Sequence, residues 1–265
     1  MTHDSIDAMA AAQKPLQDKI ALITGGGTGI GASIARAFAG AGARVIIAGR
    51  NAARLATVAK ELGVEAIAAD VSDEASVTAL FAALDAGAGG PDVLVNNAGV
   101  TGPVTRAVDM DLAAWDETMA INVRGTLLCI KQAVPRMKTR GGGSIINMSS
   151  LMGLRGQPMR SAYTASKYAV LGITDAVSQE VGVDGIRVNA LCPGAVNGAL
   201  MQRVIAARAK AEAKSADQII RTYTDKASLR RWVEPEEVAA AALFLASPAS
   251  ASITGERLRV DAGRN

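Results

Sequence analysis

Two side chains that can exchange a proton, Tyr163 and Lys167, lie four residues apart in the segment Tyr163-Thr164-Ala165-Ser166-Lys167. On an α-helix this spacing puts both side chains on one face. A phenol has an ordinary pKa of about 10 and is a poor acid or base at neutral pH, but a nearby ammonium lowers that pKa. The pair therefore predicts acid–base chemistry at Tyr163, with Lys167 as its electrostatic partner. The same spacing also occurs on helices that have no chemical role, so the pair alone does not decide between the two interpretations.

A third candidate, Ser150, lies thirteen residues before Tyr163, directly after a predicted strand. A hydroxyl in that place can donate to a substrate oxygen as negative charge develops on it. The single histidine of the chain is His3, in a polar segment at its start. A Ser-His-Asp triad, a Cys-His pair or a histidine-based metal site therefore cannot be assembled, and we expect no metal.

A glycine-rich turn, Thr24-Gly25-Gly26-Gly27-Thr28-Gly29-Ile30-Gly31, follows the first predicted strand and leads directly into a predicted helix. Glycines let the backbone approach a phosphate closely, and a helix N-terminus offers N–H donors and a favourable dipole. The spacing also imitates an NTPase P-loop, but Ala32 stands where that loop needs a lysine. The turn therefore predicts a dinucleotide-binding site.

The ends of the next three predicted strands carry further candidates for nucleotide contacts. The second strand ends at Arg50 without a carboxylate, which favours the 2′-phosphate of NADP(H) over the free ribose hydroxyl of NAD(H). An ordinary exposed arginine is the alternative. Asp70 and Val71 follow the third strand, and Asn97 follows the fourth. All of these residues would meet at one edge of a parallel sheet.

The periodicity alternates short apolar runs with longer helical patterns. The predicted strands are residues 20–24, 44–48, 66–69, 93–96, 144–148, 186–190 and 257–260. The predicted helices are residues 30–39, 52–62, 75–86, 112–138, 161–180 and 235–246. Unbroken apolar strands separated by helices predict an α/β fold: a doubly wound, Rossmann-type parallel sheet with helices on both faces, in a single domain.

The domain is expected over residues 18–265, after a polar N-terminal extension of residues 1–17. Residues 197–226 break the alternation with a charged, helical insertion. This segment is either a solvated surface helix or a lid over the substrate, because ligands bind beyond the carboxyl ends of such strands.

Composition limits the partners. The formal net charge is +3, and the basic residues are scattered, which argues against nucleic acid. Hydrophobic residues make up 49% of the chain, but no run approaches the length of a membrane span. Cys129 and Cys192 lie alone in apolar stretches, as reduced thiols of a cytoplasmic protein do.

Taken in order, these residues resemble the short-chain dehydrogenase/reductase family from Asp18 to Gly263. The matching motifs are Thr24-Gly25-x-x-x-Gly29-x-Gly31, Asn96-Asn97-Ala98-Gly99, Asn122-Val123-x-Gly125, Ser150, Tyr163-x-x-x-Lys167, Pro193-Gly194, Pro235-Glu236-Glu237-Val238-Ala239 and Val260-Asp261-x-Gly263.

The resemblance implies a role for each matching residue in hydride transfer between NADP(H) and a carbonyl or secondary alcohol. Tyr163 would exchange the proton, and Lys167 would lower its pKa and bind the nicotinamide ribose. Ser150 would orient the carbonyl, and Asn122 would hold a water of a proton relay. The expected cofactor contacts are Gly25, Gly27, Thr28, Gly29, Ile30, Gly31, Arg50, Asp70, Val71, Asn97, Tyr163, Lys167, Pro193 and Val196.

The resemblance also implies a homotetramer, packed through predicted helices 112–138 and 161–180. A cofactor-retaining isomerase or epimerase, and a non-catalytic nucleotide-binding protein, are the alternatives. Gly198 stands where the family often has a threonine that binds the carboxamide, so that anchoring must come from backbone, come from Asn197 or be weaker. The expected substrate-pocket residues are Leu151, Met152, Arg155, Met159, Arg160, Val196 and Met201. Arg155 and Arg160 could meet an anion there, although arginines are more often structural or solvated.

Overall fold

The computed structural model describes residues 14–264. His3 and most of the expected N-terminal extension lie outside the described residues. Of that extension, residues 14–17 are described, and Leu16 is buried in the core beside α1 and β2. The polar segment therefore ends before Leu16, because this apolar side chain packs with the domain.

Residues 14–264 contain a sheet of seven parallel strands in the order β3-β2-β1-β4-β5-β6-β7. The strands are β1 (Ile20–Thr24), β2 (Arg44–Gly49), β3 (Glu65–Ala68), β4 (Val93–Asn96), β5 (Gly143–Met148), β6 (Ile186–Pro193) and β7 (Arg257–Val260). The order reverses direction between β1 and β4, so the doubly wound prediction is confirmed. The glycine turn and the loop after β4 meet at this reversal, where such sheets bind ligands.

The α-helices are α1 (Gly29–Gly40), α2 (Ala52–Leu62), α3 (Glu74–Ala88), α4 (Leu112–Met119), α5 (Gly125–Thr139), α6 (Ser161–Val181), α7 (Ala199–Glu212), α8 (Ala216–Thr224) and α9 (Pro235–Ala246). Among the described residues, no helix is both long and apolar enough to cross a membrane.

The two faces of the sheet bury separate cores, as alternating side chains of one strand illustrate. Leu22 packs in a core with residues of α3, α5 and α6, such as Phe81. Its neighbour Ile23 points to the other face and packs with residues of α1, α2 and α9, such as Phe38. A strand covered on both faces must be apolar at every position, which is why β1 reads as an unbroken apolar run.

Two predicted helical segments differ from the structure. The segment 112–138 is divided by a π-helical turn, Ala120–Arg124, between α4 and α5. The extra residue of this wide turn shifts the apolar pattern by one position, a shift that the predicted single helix over 112–138 did not include. The insertion 197–226 forms α7 and α8, separated by Ala213 in a left-handed conformation with φ of 51°. The sixth strand extends to Pro193, three residues beyond the prediction.

Candidate active site

The glycine turn is held in place by contacts that leave no room for side chains. The amides of Gly25 and Gly26 both donate to the carbonyl of Ala48 on β2, at 2.7 and 3.3 Å. Gly25 has a φ of 66°, which favours glycine. A Cβ on Gly31 would lie 2.3 Å from the carbonyl oxygen of Gly25. The first turn of α1 therefore packs directly against the loop that precedes it.

The start of α1 has the properties of a phosphate site. Thr28 is the N-cap residue and is exposed, but its side chain makes no capping hydrogen bond. Gly29 has a φ of 51°, and a Cβ placed there would meet no atom within 4 Å. The first N–H groups of the helix thus face an open, side-chain-free surface, where helix geometry favours an anion. These residues fit the pyrophosphate of a dinucleotide.

Asn97 ties the loop after β4 to the glycine turn. Its Nδ2 donates to the carbonyls of Thr24 (2.9 Å) and Gly25 (3.1 Å). The amides of Asn97 and Ala98 both donate to Thr24 Oγ1 at 3.0 Å. The amide nitrogen of the Asn97 side chain is thereby committed to the protein, so this residue shapes the cofactor rim by holding its backbone.

Arg50 and Asp70 lie together at the ends of β2 and β3. The guanidinium Nη1 of Arg50 is 4.0 Å from Asp70 Oδ2, and both side chains are partly exposed. Although burial opposes it, hydrogen bonds from Ser72 and the charge of Arg50 lower the pKa of Asp70. Val71 is buried, and a Cβ on Gly125 would approach Val71 Cγ2 to 2.8 Å, so α5 packs closely on this loop.

Tyr163 and Lys167 share a face of α6, as their spacing predicts. Lys167 is 95% buried, and its Nζ lies 5.6 Å from the centre of the Tyr163 ring. That Nζ donates to the carbonyl of Met148 at the end of β5, at 2.7 Å. Ser150 follows β5, is buried, and accepts a hydrogen bond from the amide of Met152 at 3.2 Å. The structure therefore brings the three predicted side chains to one end of β5.

The electrostatics of this pair differ in part from the expectation. Burial raises the pKa of Tyr163, and a hydrogen bond with Ser150 and the charge of Arg160 partly oppose that rise. Burial also lowers the pKa of Lys167 to about 8, which the nearby Cys192 partly counteracts. The cation that lowers the pKa of Tyr163 here is Arg160, because the Lys167 ammonium is directed at the Met148 carbonyl.

Asn122 lies in the π-helical turn and reaches the loop after β4. Its Oδ1 accepts from the amide of Val100 (2.8 Å), and its Nδ2 donates to the Val100 carbonyl (2.9 Å) and to Ser166 Oγ (2.9 Å). A Cβ on Gly99 would lie 3.1 Å from Asn122 Oδ1 and 3.6 Å from Lys167 Nζ. Asn122 and Lys167 thus converge on the same glycine.

The two arginines expected near the pocket have different surroundings. The guanidinium of Arg160 lies over the Tyr163 ring, 5.0 Å from its centre, and its Nη2 donates to the carbonyl of Thr101. Arg155 is partly buried and reaches the carbonyl of Arg264 at 3.4 Å. The contact between Arg160 and Tyr163 places a cation directly on the expected acid–base residue.

The segment after β6 carries the remaining candidates. Pro193 ends β6 beside Val260, and Val196 pairs with Val233 in an isolated bridge. Gly198 has a φ of 142° and begins α7 without side-chain capping. Asn197 Nδ2 donates to the carboxylate of Glu234, with its shorter contact at 3.2 Å. That bond engages the side-chain nitrogen of Asn197 on the protein.

The other expected pocket residues differ in burial. Leu151 is buried, Met152 is partly buried, and Met201 packs against a small core formed by Ala195, Ile205, Ile219 and Tyr223. Met159 has a φ of 64°, a left-handed conformation that non-glycine residues seldom adopt. It lies directly before Arg160, so the turn that aims the guanidinium at Tyr163 is strained.

Sequence reasoning missed the connecting role of Ser166. Its hydroxyl accepts from Asn122 Nδ2 and donates to the carbonyl of Tyr163 at 2.8 Å. It therefore joins the π-helical turn to the first turn of α6. The available signal was its position between Tyr163 and Lys167, where a buried polar side chain needs a partner.

Comparison with known proteins gives a consistent assignment. The profile of the family described as enoyl-(acyl carrier protein) reductase matches residues 25–265. Galactitol 2-dehydrogenase (L-tagatose-forming) of Cereibacter sphaeroides is 40% identical over 254 residues, covering 94% of this chain and 95% of that protein. D-beta-hydroxybutyrate dehydrogenase of Rhizobium meliloti (strain 1021) is 36% identical over 253 residues, covering 92% and 98%. A variant of actinorhodin polyketide ketoreductase, solved with NADPH, superposes with a TM-score of 0.89 at 34% identity, covering 93% of this chain and 97% of that chain.

The strand order, the ordered motifs and these relatives point the same way. The two curated relatives are named as dehydrogenases and the solved structure as a ketoreductase, all of them oxidoreductases. The match extends over almost the whole chain rather than over its nucleotide-binding half alone. This chain therefore belongs to the short-chain dehydrogenase/reductase family and is an oxidoreductase.

Proposed function

We propose that this enzyme transfers a hydride between NADP(H) and a carbonyl or secondary alcohol, with Tyr163 exchanging the proton. The observation that carries the proposal is the position of the loop after β4. Asn97 in this loop holds the glycine turn, and Gly99 lies against Asn122 and Lys167. A dinucleotide bound on the glycine turn would therefore extend toward Tyr163.

Each residue of the site has a stated task in this reaction. The bound nicotinamide supplies or accepts the hydride. Tyr163 donates its phenolic proton to the carbonyl oxygen in reduction and receives it back in oxidation. Ser150 donates a hydrogen bond to the same oxygen and stabilises its developing charge. Lys167 binds the nicotinamide ribose with its ammonium.

Asn122 completes the proton path by fixing the loop beside Lys167. Its side chain is fully engaged with Val100 and Ser166, and its carbonyl accepts from Thr126 Oγ1 at 2.9 Å. A second lone pair of that carbonyl is the acceptor for a relay water. In this proposal the backbone carbonyl of Asn122 binds the relay water, while its side chain holds the π-helical turn in place.

The preference for NADP(H) rests on Arg50. Its side chain is 58% exposed at the end of β2, and Asp70 is its one ion-pair partner within residues 14–264. An ion pair this long and exposed is weak, so the guanidinium remains available to a phosphate. We propose that the other residues expected from the sequence to contact the cofactor also bind NADP(H).

We also propose a cytoplasmic homotetramer. Leu127 on α5 and Tyr168 on α6 are 48% and 46% exposed. Packing of these helices against a second copy would cover both. Cys129 and Cys192 are free and buried, in keeping with reduced thiols.

Replacing Tyr163 with Phe tests the assignment. We expect kcat for ketone reduction to fall by orders of magnitude, while NADPH binding, followed by its fluorescence, persists. Tyr168→Phe is the matched control, since it removes the hydroxyl of a tyrosine that is 46% exposed, five residues further along the same helix. Near-normal turnover in Tyr163→Phe would refute the proton-transfer role.

A further inference from the structure

Arg160 is a buried cation without an anionic partner in the described structure. It is 2% exposed and is among the largest fully buried side chains. Within residues 14–264 its guanidinium donates one hydrogen bond, from Nη2 to the carbonyl of Thr101 at 2.9 Å. Its Nε is buried and has no hydrogen-bond partner in that part of the chain. None of the ion pairs among the described residues includes Arg160.

Such an arrangement is unfavourable unless something else supplies negative charge. A guanidinium keeps its proton in proteins, so Arg160 cannot escape the cost by becoming neutral. Taking an ion out of water is costly, and a carbonyl compensates only a small part of that cost. Burial lowers the pKa of Arg160, Tyr163 and Tyr223 oppose that shift in part, and the positive charge of Arg208 adds to it. The environment of Arg160 therefore calls for an anion.

Arg208 on α7 and Arg264 after β7 add positive charge near Arg160. The guanidinium carbons of Arg208 and Arg264 lie 5.1 and 4.6 Å from the centre of the Tyr223 ring. Arg264 Nε is buried and, like Arg160 Nε, has no hydrogen-bond partner among the described residues. Arg208 alone of these arginines is paired, with Glu212 at 2.6 Å. Unused donors are thus concentrated here.

Arg160 lies beside Tyr163, the proposed acid–base residue. Its guanidinium lies 5.0 Å from the centre of the Tyr163 ring. A molecule whose oxygen meets the Tyr163 hydroxyl would therefore lie within a few ångströms of an unpaired guanidinium. Arginine binds planar and tetrahedral oxyanions through several parallel N–H donors, which gives both affinity and orientation.

Resting on the proposed function, we propose that the substrate carries an anionic group, a carboxylate or a phosphate monoester, that binds the guanidinium of Arg160. The names of the relatives do not decide this, because galactitol is neutral and hydroxybutyrate is anionic. The proposal deepens the function by assigning the substrate's charge and the residue that recognises it.

Two matched substrate pairs test the proposal and distinguish the two sources of charge. The first is 3-oxobutanoate against 3-oxobutanamide, and the second is dihydroxyacetone phosphate against dihydroxyacetone. With NADPH, we expect kcat/KM to be at least about tenfold higher for the charged member of one pair, since pairing a buried charge changes affinity strongly. The pair that responds identifies the anion.

Variants then locate the effect. Arg160→Leu should abolish the preference. Because Arg160 also lowers the pKa of Tyr163, we expect kcat/KM to fall for both members of the pair, and to fall at least about tenfold further for the charged one. Arg106→Leu is the matched control, because Arg106 is exposed on the neighbouring segment. If Arg160→Leu fails to fold, Arg160→Lys serves instead, because it retains the positive charge but loses the planar set of N–H donors. It should reduce the preference for the charged substrate at least about threefold.

Binding measurements separate this proposal from the proposed reaction. Calorimetry of 3-oxobutanoate and inorganic phosphate, in an Arg50→Ala background without nucleotide, reports anion binding even when no ketone is reduced. Binding that Arg160→Lys weakens supports the anion site, whatever the fate of the hydride reaction. Equal kcat/KM within both pairs together with no such binding, or an equal loss for charged and neutral ketones in Arg160→Leu, overturns the proposal.

Discussion

The buried ammonium of Lys167 makes the stability of this protein depend on pH in a calculable way. Burial lowers the pKa of Lys167 from 10.5 to about 8. At about 1.36 kcal/mol per pH unit, this corresponds to about 3 kcal/mol by which folding disfavours the charged form. Because the folded pKa lies below the unfolded one, the unfolded chain holds more protons between about pH 8 and pH 10.5. Stability should therefore rise with pH through that window.

The variant Lys167→Met isolates this contribution, because it keeps a long apolar side chain and removes the titrating group. From the two pKa values, the penalty on the wild type falls by about 2 kcal/mol between pH 7 and pH 9.5. All other groups titrate nearly alike in both proteins and cancel in the difference. Lys167→Met should therefore be the more stable protein at pH 7, and its advantage should shrink by about 2 kcal/mol at pH 9.5.

Urea denaturation at the two pH values, at one protein concentration and followed by circular dichroism, measures this difference. Urea is preferred because a salt denaturant would screen charges. Loss of activity in Lys167→Met alongside the gain in stability would place the ammonium in the reaction. Parallel stability curves, with a constant difference between the two proteins, would refute the idea that burial depresses the pKa of Lys167.

Three further variants test the nucleotide and substrate ends of the site. Arg50→Ala should raise KM for NADPH roughly 10- to 100-fold while leaving KM for NADH nearly unchanged, because a charge-assisted hydrogen bond is lost; equal effects in steady-state kinetics would contradict the assignment. Gly31→Ala should abolish nucleotide binding in fluorescence titrations, since its Cβ would lie 2.3 Å from a backbone carbonyl oxygen, whereas Gly40→Ala on the same helix meets nothing within 4 Å and should bind normally. Ser150→Ala should lower kcat about 100-fold and shift the pH profile of alcohol oxidation to higher pH, because the hydrogen bond that lowers the pKa of Tyr163 is removed; an unshifted profile would argue against that bond.

Local signals account for the parts of the fold that the sequence predicted closely. The bounds of α2 match because Asn51 caps its start, accepting from the amide of Arg54, and Gly63 ends it in a left-handed conformation. The bounds of α9 match because Glu234 and Glu237 form a capping box around Pro235 at the first position. These devices lie within a few residues of the boundary they set, so a single sequence reveals them.

The features that escaped prediction depend on contacts between distant segments. The sequence places Tyr163 and Lys167 on one face, but the direction of the Tyr163 pKa depends on how deeply α6 is buried. The hydrogen bond of the Arg160 guanidinium goes to the carbonyl of Thr101, which lies far away in the chain. The spacing of residues within one helix shows neither the burial of that helix nor its contacts with distant segments.

The wide turn between α4 and α5 bears on how this chain tolerates insertion and deletion. A π-helical turn holds one more residue than an α-helical turn, and each residue rotates a helix by about 100°. Deleting one residue within Ala120–Arg124 would let α4 and α5 fuse into one regular helix. The fused helix would gain local hydrogen-bond regularity, yet it would rotate Asn122 away from Val100 and Ser166. The same deletion would turn the buried face of α5, which includes Leu128 and Cys129, by about 100° relative to α4. Both the core and the position of Asn122 therefore depend on the extra residue of this turn.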